Sequence, residues 1–196
     1  MRLIISPHAD DEVLGCSSVL DNAYVVFLGI NDFHIVDKKT RISELTKARQ
    51  FFNYNNFICD HLVDNYKFQN ILDTVQVFIN KLKPDEIYIP HPSYNQDHRT
   101  VYEACFTALR HHDKNFLVKK VLVYEEIHHN LWDKEEFNPN YFVKLDIDKK
   151  IEGYKLHTSQ VRSHRSPEMI KLMAKFRGYQ SGYDYAEAFK ILRWIN

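Results

Sequence analysis

The sequence predicts an α/β fold: a Rossmann-like, mostly parallel sheet with helices on both faces. Two observations predict it. Short runs rich in β-branched and aromatic residues (LII at 3–5, YVVFLGI at 24–30, EIYIP at 86–90, KKVLVYEE at 119–126) alternate with longer segments of helical spacing at 41–52, 68–82 and 97–110. Strands that alternate with helices need crossover connections, which make parallel sheets covered on both faces.

Each run has the composition expected of a buried strand. After residue 126 the pattern changes. HHNLWDKEEFNPN is polar and turn-rich, YFVKLDI reads as a further strand, and DKKIEGYKLHTSQV begins a helix behind an aspartate placed to cap it. SPEMIKLMAKFRGYQSG repeats that logic, with Ser166 as cap, Pro167 in the first turn and Gly182 past the end. No linker, internal repeat or low-complexity tract divides the chain, so residues 1–196 are expected to form a single domain.

Composition bounds the setting. Hydrophobic residues make up 44% of the 196 residues and charged ones 27%, enough apolar surface for a real core. The 26 basic and 26 acidic residues balance, which leaves no electrostatic footprint for nucleic acid or an anionic membrane. The opening MRLIISPHADDE runs into acids before a signal-peptide core is completed, and no apolar run approaches the roughly 20 residues that span a bilayer. A soluble, cytoplasmic protein is expected. Cys16, Cys59 and Cys105 are odd in number and far apart, and read as reduced thiols.

Two clusters carry the chemistry. PHADDE follows the first strand and PHPSYNQDHRT follows the strand ending near Ile89. Ligands of doubly wound folds gather outside the carboxyl ends of the strands, so both clusters fall on one rim of the sheet. His8 and Asp11, three apart on a tight loop, let an imidazole nitrogen and a carboxylate oxygen converge on one ion, with His98 as third ligand. Two histidines and a carboxylate, with a position left for water, is a set used in catalytic zinc sites. A divalent cation also explains how Asp10, Asp11 and Glu12 stay ionised together. The competing reading is that these acids only favour a helix N-terminus.

PHADDEVLGC resembles the PHPDDExLGxGG signature of the LmbE-like, or PIG-L, family of zinc-dependent N-deacetylases, and NQDHRTVYEA resembles its second motif, xxDHxxV. RISELTKA is similar to the family's RxxExxxA helix, FNPNYFVKLDI to its FxPNxFVDI segment, and KLHTSQ and RGYQSGYDYAEAFKILR to C-terminal stretches of bacterial sugar-pathway members. The resemblance implies zinc held by His8, Asp11 and His98, with Asp10 as general base. Other divalent metals such as Fe²⁺ suit the same ligands to varying degrees. The implied substrate is a small N-acetylated amino sugar, nucleotide- or lipid-linked or neither, in glycan or secondary-metabolite biosynthesis. Removal of another acyl group with the same metal site is the nearer alternative. A non-catalytic Rossmann-like binding protein is the more distant one, disfavoured because the loop lacks GxGxxG and its acids would repel a pyrophosphate. Relatives differ in oligomeric state, so a homo-oligomer stays open.

The departures from the family pattern are informative. Many relatives place a histidine three residues before the last ligand, where this chain has Asn95, whose amide donates a hydrogen bond but delivers no proton at neutral pH. His91, oriented by Asp97, is the candidate substitute. Ser17 and Ser18 stand where relatives often have glycines, and read as caps at the start of a helix or as residues that narrow the pocket. His128 and His129 occupy a loop where relatives tend to carry serine or threonine; they read as exposed filler or as lining of the substrate pocket. Arg41 and Glu44, one turn apart, read as a surface ion pair, while the resemblance places Arg41 on the substrate side. His111 and His112 suit a helix C-terminus, and Tyr183, Tyr185 and Trp194 suit packing of the C-terminal tail.

Overall fold

The structure is a computed structural model and describes residues 1–31, 36–127, 132 and 136–196. Its seven-stranded sheet comprises β1 (Arg2–Ser6), β2 (Tyr24–Phe27), β3 (Asn55–Ile58), β4 (Glu86–Pro90), β5 (Lys120–Tyr124), β6 (Tyr141–Lys144) and β7 (Ala186–Trp194), in the spatial order β3-β2-β1-β4-β5-β7-β6. The pairs from β3 through β5 are parallel, and β7 runs antiparallel to both β5 and β6. The helices are α1 (Asp11–Cys16), α2 (Lys38–Phe52), α3 (Phe68–Leu82), α4 (Gln96–Ala108), α5 (Ile147–Lys155) and α6 (Pro167–Ser181).

Because strand side chains alternate between faces, β1 sends Leu3 and Ile5 to one core and Ile4 to the other. The first core packs Ile71, Val75 and Ile79 of α3 and Val101 and Cys105 of α4. The second packs Val13 of α1, Leu45 and Ala48 of α2, Tyr154 of α5 and Ile170 of α6. The chain winds outward from β1 to β2 and β3, then returns to place β4 on the other side of β1. That reversal opens a crevice at the carboxyl ends of β1 and β4, the two strands whose following loops carry the histidine-acid clusters.

The predicted strands and helices are present, with β2, β5 and β6 shorter than the runs that signal them. Two strands were not anticipated. β3 is an edge strand of only four residues, Asn55–Ile58, whose exposed and half-buried positions alternate, so it shows no continuous apolar run. β7 reads as a mixed tail because it carries Glu187, Lys190 and Arg193 among its apolar residues. It nonetheless inserts between β5 and β6, entering through Gly182, whose φ of 76° ends α6 in the left-handed region. Ser166 Oγ caps α6 by accepting from the Met169 N–H at 3.4 Å, and Asp146 caps α5 by accepting from the Lys149 N–H at 3.0 Å.

Ser17 and Ser18 do not start the α-helix beneath the site. They follow α1 and open a short 3₁₀ turn, Ser17–Val19, whose free N–H groups are taken by the carboxylate of Glu187 at 3.0 and 2.7 Å. The Ser17 hydroxyl donates to the same carboxylate at 2.7 Å. The buried Lys150 ammonium completes the cluster, 2.5 Å from Glu187 Oε1 and 2.6 Å from the Leu14 carbonyl. The cap expected of the serines' own side chains is thus supplied by β7.

Candidate metal centre

The loop after β1 turns tightly at His8 to Asp10 and enters α1 at Asp11. The Ser6 hydroxyl donates to the His8 carbonyl at 2.7 Å and the His8 N–H donates to Asp11 Oδ2 at 2.7 Å, which folds the ligand-bearing side chains onto one side. Opposite them, Asn95 caps α4 by accepting from the Asp97 N–H at 2.8 Å, and His98 projects from the first turn. His8 Nδ1, Asp11 Oδ2 and His98 Nε2 form a triangle with edges of 3.3, 3.4 and 3.3 Å. A tetrahedral zinc with bonds of about 2.0 to 2.1 Å has ligand-to-ligand edges of about 3.3 to 3.4 Å. The three separations match one face of such a tetrahedron, so these residues could hold a divalent cation.

The remaining nitrogen of His8, Nε2, lies 3.0 Å from Asp97 Oδ2, which also accepts from the Asp64 N–H at 2.7 Å. A carboxylate behind a ligating imidazole fixes its tautomer and ring orientation. Burial alone would lower the His8 imidazole, but the Asp11 and Asp97 carboxylates outweigh it and push it up to about 10. Burial likewise opposes ionisation of Asp11, yet His98 and His8 hold its carboxyl well below the usual carboxylate range. A cation entering this cluster replaces a proton. Asp97→Asn is expected to weaken zinc binding about 10- to 100-fold, the usual cost of losing such a partner, as measured by competition with a chromogenic chelator at fixed pH.

A cavity of about 320 Å³ opens over the triangle, lined among others by Asp10, Arg41, Asn95, Arg162 and Arg165. Asp10 has φ of 150° and ψ of −22°, a backbone conformation that costs a non-glycine residue about 1 to 3 kcal/mol. Its buried carboxylate accepts from Arg165 Nη1 at 3.1 Å and lies 3.5 Å from Arg41 Nη2. Glu126, fully buried two residues past the end of β5, places Oε1 3.7 Å from His98 Nδ1, and burial together with the charges of Asp11 and Asp10 pushes its carboxyl well above the usual range.

Arg41 and Glu44 are not a surface ion pair. Both are buried: Arg41 also donates to the Ala9 carbonyl, and Glu44 accepts from the N–H and hydroxyl of Ser159 at 2.8 and 2.7 Å. His91 is not among the residues that line the cavity; its ring stands edge-on to Phe137 at 5.2 Å and its backbone N–H donates to the Tyr124 carbonyl at 2.9 Å. The bonds of Asp97 described above run to His8 and Asp64. His111 and His112 follow the end of α4 outside the cavity. Tyr183 and Tyr185 lead into β7, and Trp194 ends it. His128 and His129 lie outside the described residues.

Arg165 and Glu126 were missed in the sequence. Arg165 sits in a polar loop 155 residues from Asp10, with no local pattern to mark it. Glu126 did carry a signal, since an acid at the carboxyl end of a buried strand lies on the rim where the ligands gather.

A doubly wound α/β sheet with a His-Asp-His cluster at its switch point defines a Rossmann-like protein with a cluster that could hold a metal ion. The chain belongs to the PIG-L family: the family description GlcNAc-PI de-N-acetylase matches residues 3–109, more than half of the 196. Its fold is that of a conserved protein from Thermus thermophilus, with a TM-score of 0.83 at 19% identity over 100% of this chain and 95% of the other. N,N'-diacetylchitobiose deacetylase from Pyrococcus horikoshii matches with a TM-score of 0.79 at 18% identity, over 98% of this chain and 83% of that one. The 4-carboxy-2-hydroxymuconate hydratase GalB from Pseudomonas putida matches at 0.80 and 15% identity, over 100% and 97%. No curated protein matches in sequence. A deacetylase and a hydratase share this fold, so the activity has to be argued from the site.

Proposed function

We propose that this protein is a metal-dependent hydrolase that removes the N-acetyl group from an amino sugar or glycoconjugate. The observation that carries the reading is the triangle of His8 Nδ1, Asp11 Oδ2 and His98 Nε2 beneath a cavity that Asp10 also lines. Membership of a family described as GlcNAc-PI de-N-acetylase supports it.

His8, Asp11 and His98 would hold a divalent cation such as zinc, which would supply Lewis acidity to acidify water and to polarise the acyl oxygen. The protein's own groups supply the rest. Asp10 takes the proton of the attacking water on its carboxylate and returns it to the departing amine. That double duty suits a site in which Asn95 cannot act as an acid. Arg165 and Arg41 orient the Asp10 carboxylate through charge-assisted contacts. Asn95 spends its carbonyl on the helix cap, which leaves its NH₂ to donate to the developing oxyanion. The products are acetate and a free amino sugar. Among the described residues no helix is long and apolar enough to cross a membrane.

The test joins elemental analysis of protein purified without chelator to acetate release from a panel of N-acetyl, N-formyl and longer N-acyl amino sugars. About one zinc per chain, lost in His98→Ala together with acetate release, is the expected result. Failure of the wild type to take up metal on reconstitution would overturn the proposal. Preferential release of formate would reassign the acyl group.

A further inference from the structure

Asp10 occupies a backbone conformation that an L-residue rarely adopts, and two side chains clamp the peptide unit that leads into it. The carbonyl of that unit, Ala9 O, accepts from Arg41 Nη2. Its N–H, that of Asp10, donates to Glu12 Oε2 at 2.9 Å. On the other side of the residue, the Asp10 carbonyl accepts from the N–H groups of Val13 and Leu14 at 3.1 and 3.0 Å.

Glu12 is itself immobilised by groups from two distant parts of the chain. Its Oε1 accepts from the Tyr54 hydroxyl at 3.0 Å, just past the end of α2, and from His157 Nε2 at 3.2 Å, just past the end of α5. Glu12 and His157 are fully buried and Tyr54 nearly so. Burial would lower the His157 imidazole, but the charge of Glu12 outweighs it and raises it above its ordinary value. A helix cap that only closed the N-terminus of α1 would need one acceptor and no such support.

We propose that Glu12 is a positioning residue for Asp10: locked by Tyr54 and His157, its carboxylate holds the Ala9–Asp10 peptide in the orientation that turns the Asp10 carboxylate into the cavity. The inference rests on the role given to Asp10 in the proposed hydrolysis. It makes the buried Tyr54–Glu12–His157 chain part of the reaction machinery, although none of the three lines the cavity.

The test measures metal content, KM and kcat for Glu12→Gln and Glu12→Ala, together with the crystal structure of Glu12→Ala. Glu12→Ala is expected to bind the same zinc and to keep KM within about threefold while kcat falls about 100-fold, the scale set by a misplaced reacting group. Glu12→Gln, which keeps an acceptor for the Asp10 N–H, should recover most of that loss. In the Glu12→Ala crystal structure Asp10 should relax to negative φ. A folded, metal-loaded Glu12→Ala that keeps its wild-type kcat overturns the proposal, as does one in which Asp10 stays near φ 150°. If Glu12→Ala does not fold, Tyr54→Phe takes its place: unchanged kcat there overturns the proposal, and a fall at constant KM and zinc supports it. The torsion readout needs no activity, so a wild type that releases no acetate sinks the hydrolase reading while Asp10 φ still decides this one.

Discussion

Asp10→Asn is expected to lower turnover about 1,000-fold, within the range ascribed to a general base, while leaving about one zinc per chain in place. That loss corresponds to about 4 kcal/mol of transition-state stabilisation. The substitution isolates proton transfer because it leaves the rest of the site intact. Asparagine has the same shape as aspartate, so the substitution adds no new steric demand on the backbone at residue 10. Its amide oxygen still accepts from Arg165, and the backbone N–H that Glu12 takes is untouched. None of the three atoms that could hold a metal belongs to residue 10. The check is kcat with saturating substrate beside elemental analysis of the same sample. Turnover within tenfold of wild type would show that another group moves the proton.

Glu187→Ala is expected to have the largest effect on stability, about 3 to 5 kcal/mol, because it strips a buried cation of its partner. The variant leaves Lys150 with the Leu14 carbonyl alone and removes the acceptor for both N–H groups that open the Ser17–Val19 turn. For a chain of this size such a loss lowers Tm by about 6 to 20 °C. Urea denaturation of the single variant and of Lys150→Met/Glu187→Ala separates the contributions. The double variant should recover part of the loss, since an unpaired buried charge costs more than a missing pair. A single variant within about 1 kcal/mol of wild type would show that the cluster contributes little to stability.

The two predictions mark two kinds of legibility. The loop PHADDE and the segment NQDHR were readable as sharing one rim because each follows a strand of a sheet whose parallel character is signalled by local alternation of strands and helices; that β1 and β4 lie side by side was decided by the tertiary structure. Residue type and spacing then limit which atoms can meet: His8 and Asp11 share one turn of chain, so their convergence needs only the tight loop between them. β3 and β7 lacked that local signature, and pairing with a neighbouring strand made them strands.

What the sequence by itself determined is the α/β class, the strands that form the centre of the sheet, and the His8, Asp11 and His98 set. All of these rest on interactions between residues close in the chain, or on chemistry that only certain side chains possess. What only the tertiary structure decided is which distant groups complete the site and the core. Arg165 reaches Asp10, His157 and Tyr54 hold Glu12, Asp97 backs His8, and Glu187 caps a turn 170 residues before it. These polar partners were not readable in advance because a charged side chain in a loop has the same local pattern whether it faces water or a buried carboxylate. The difference is made by what packs around it, since burial without a partner costs so much that the fold has to supply one.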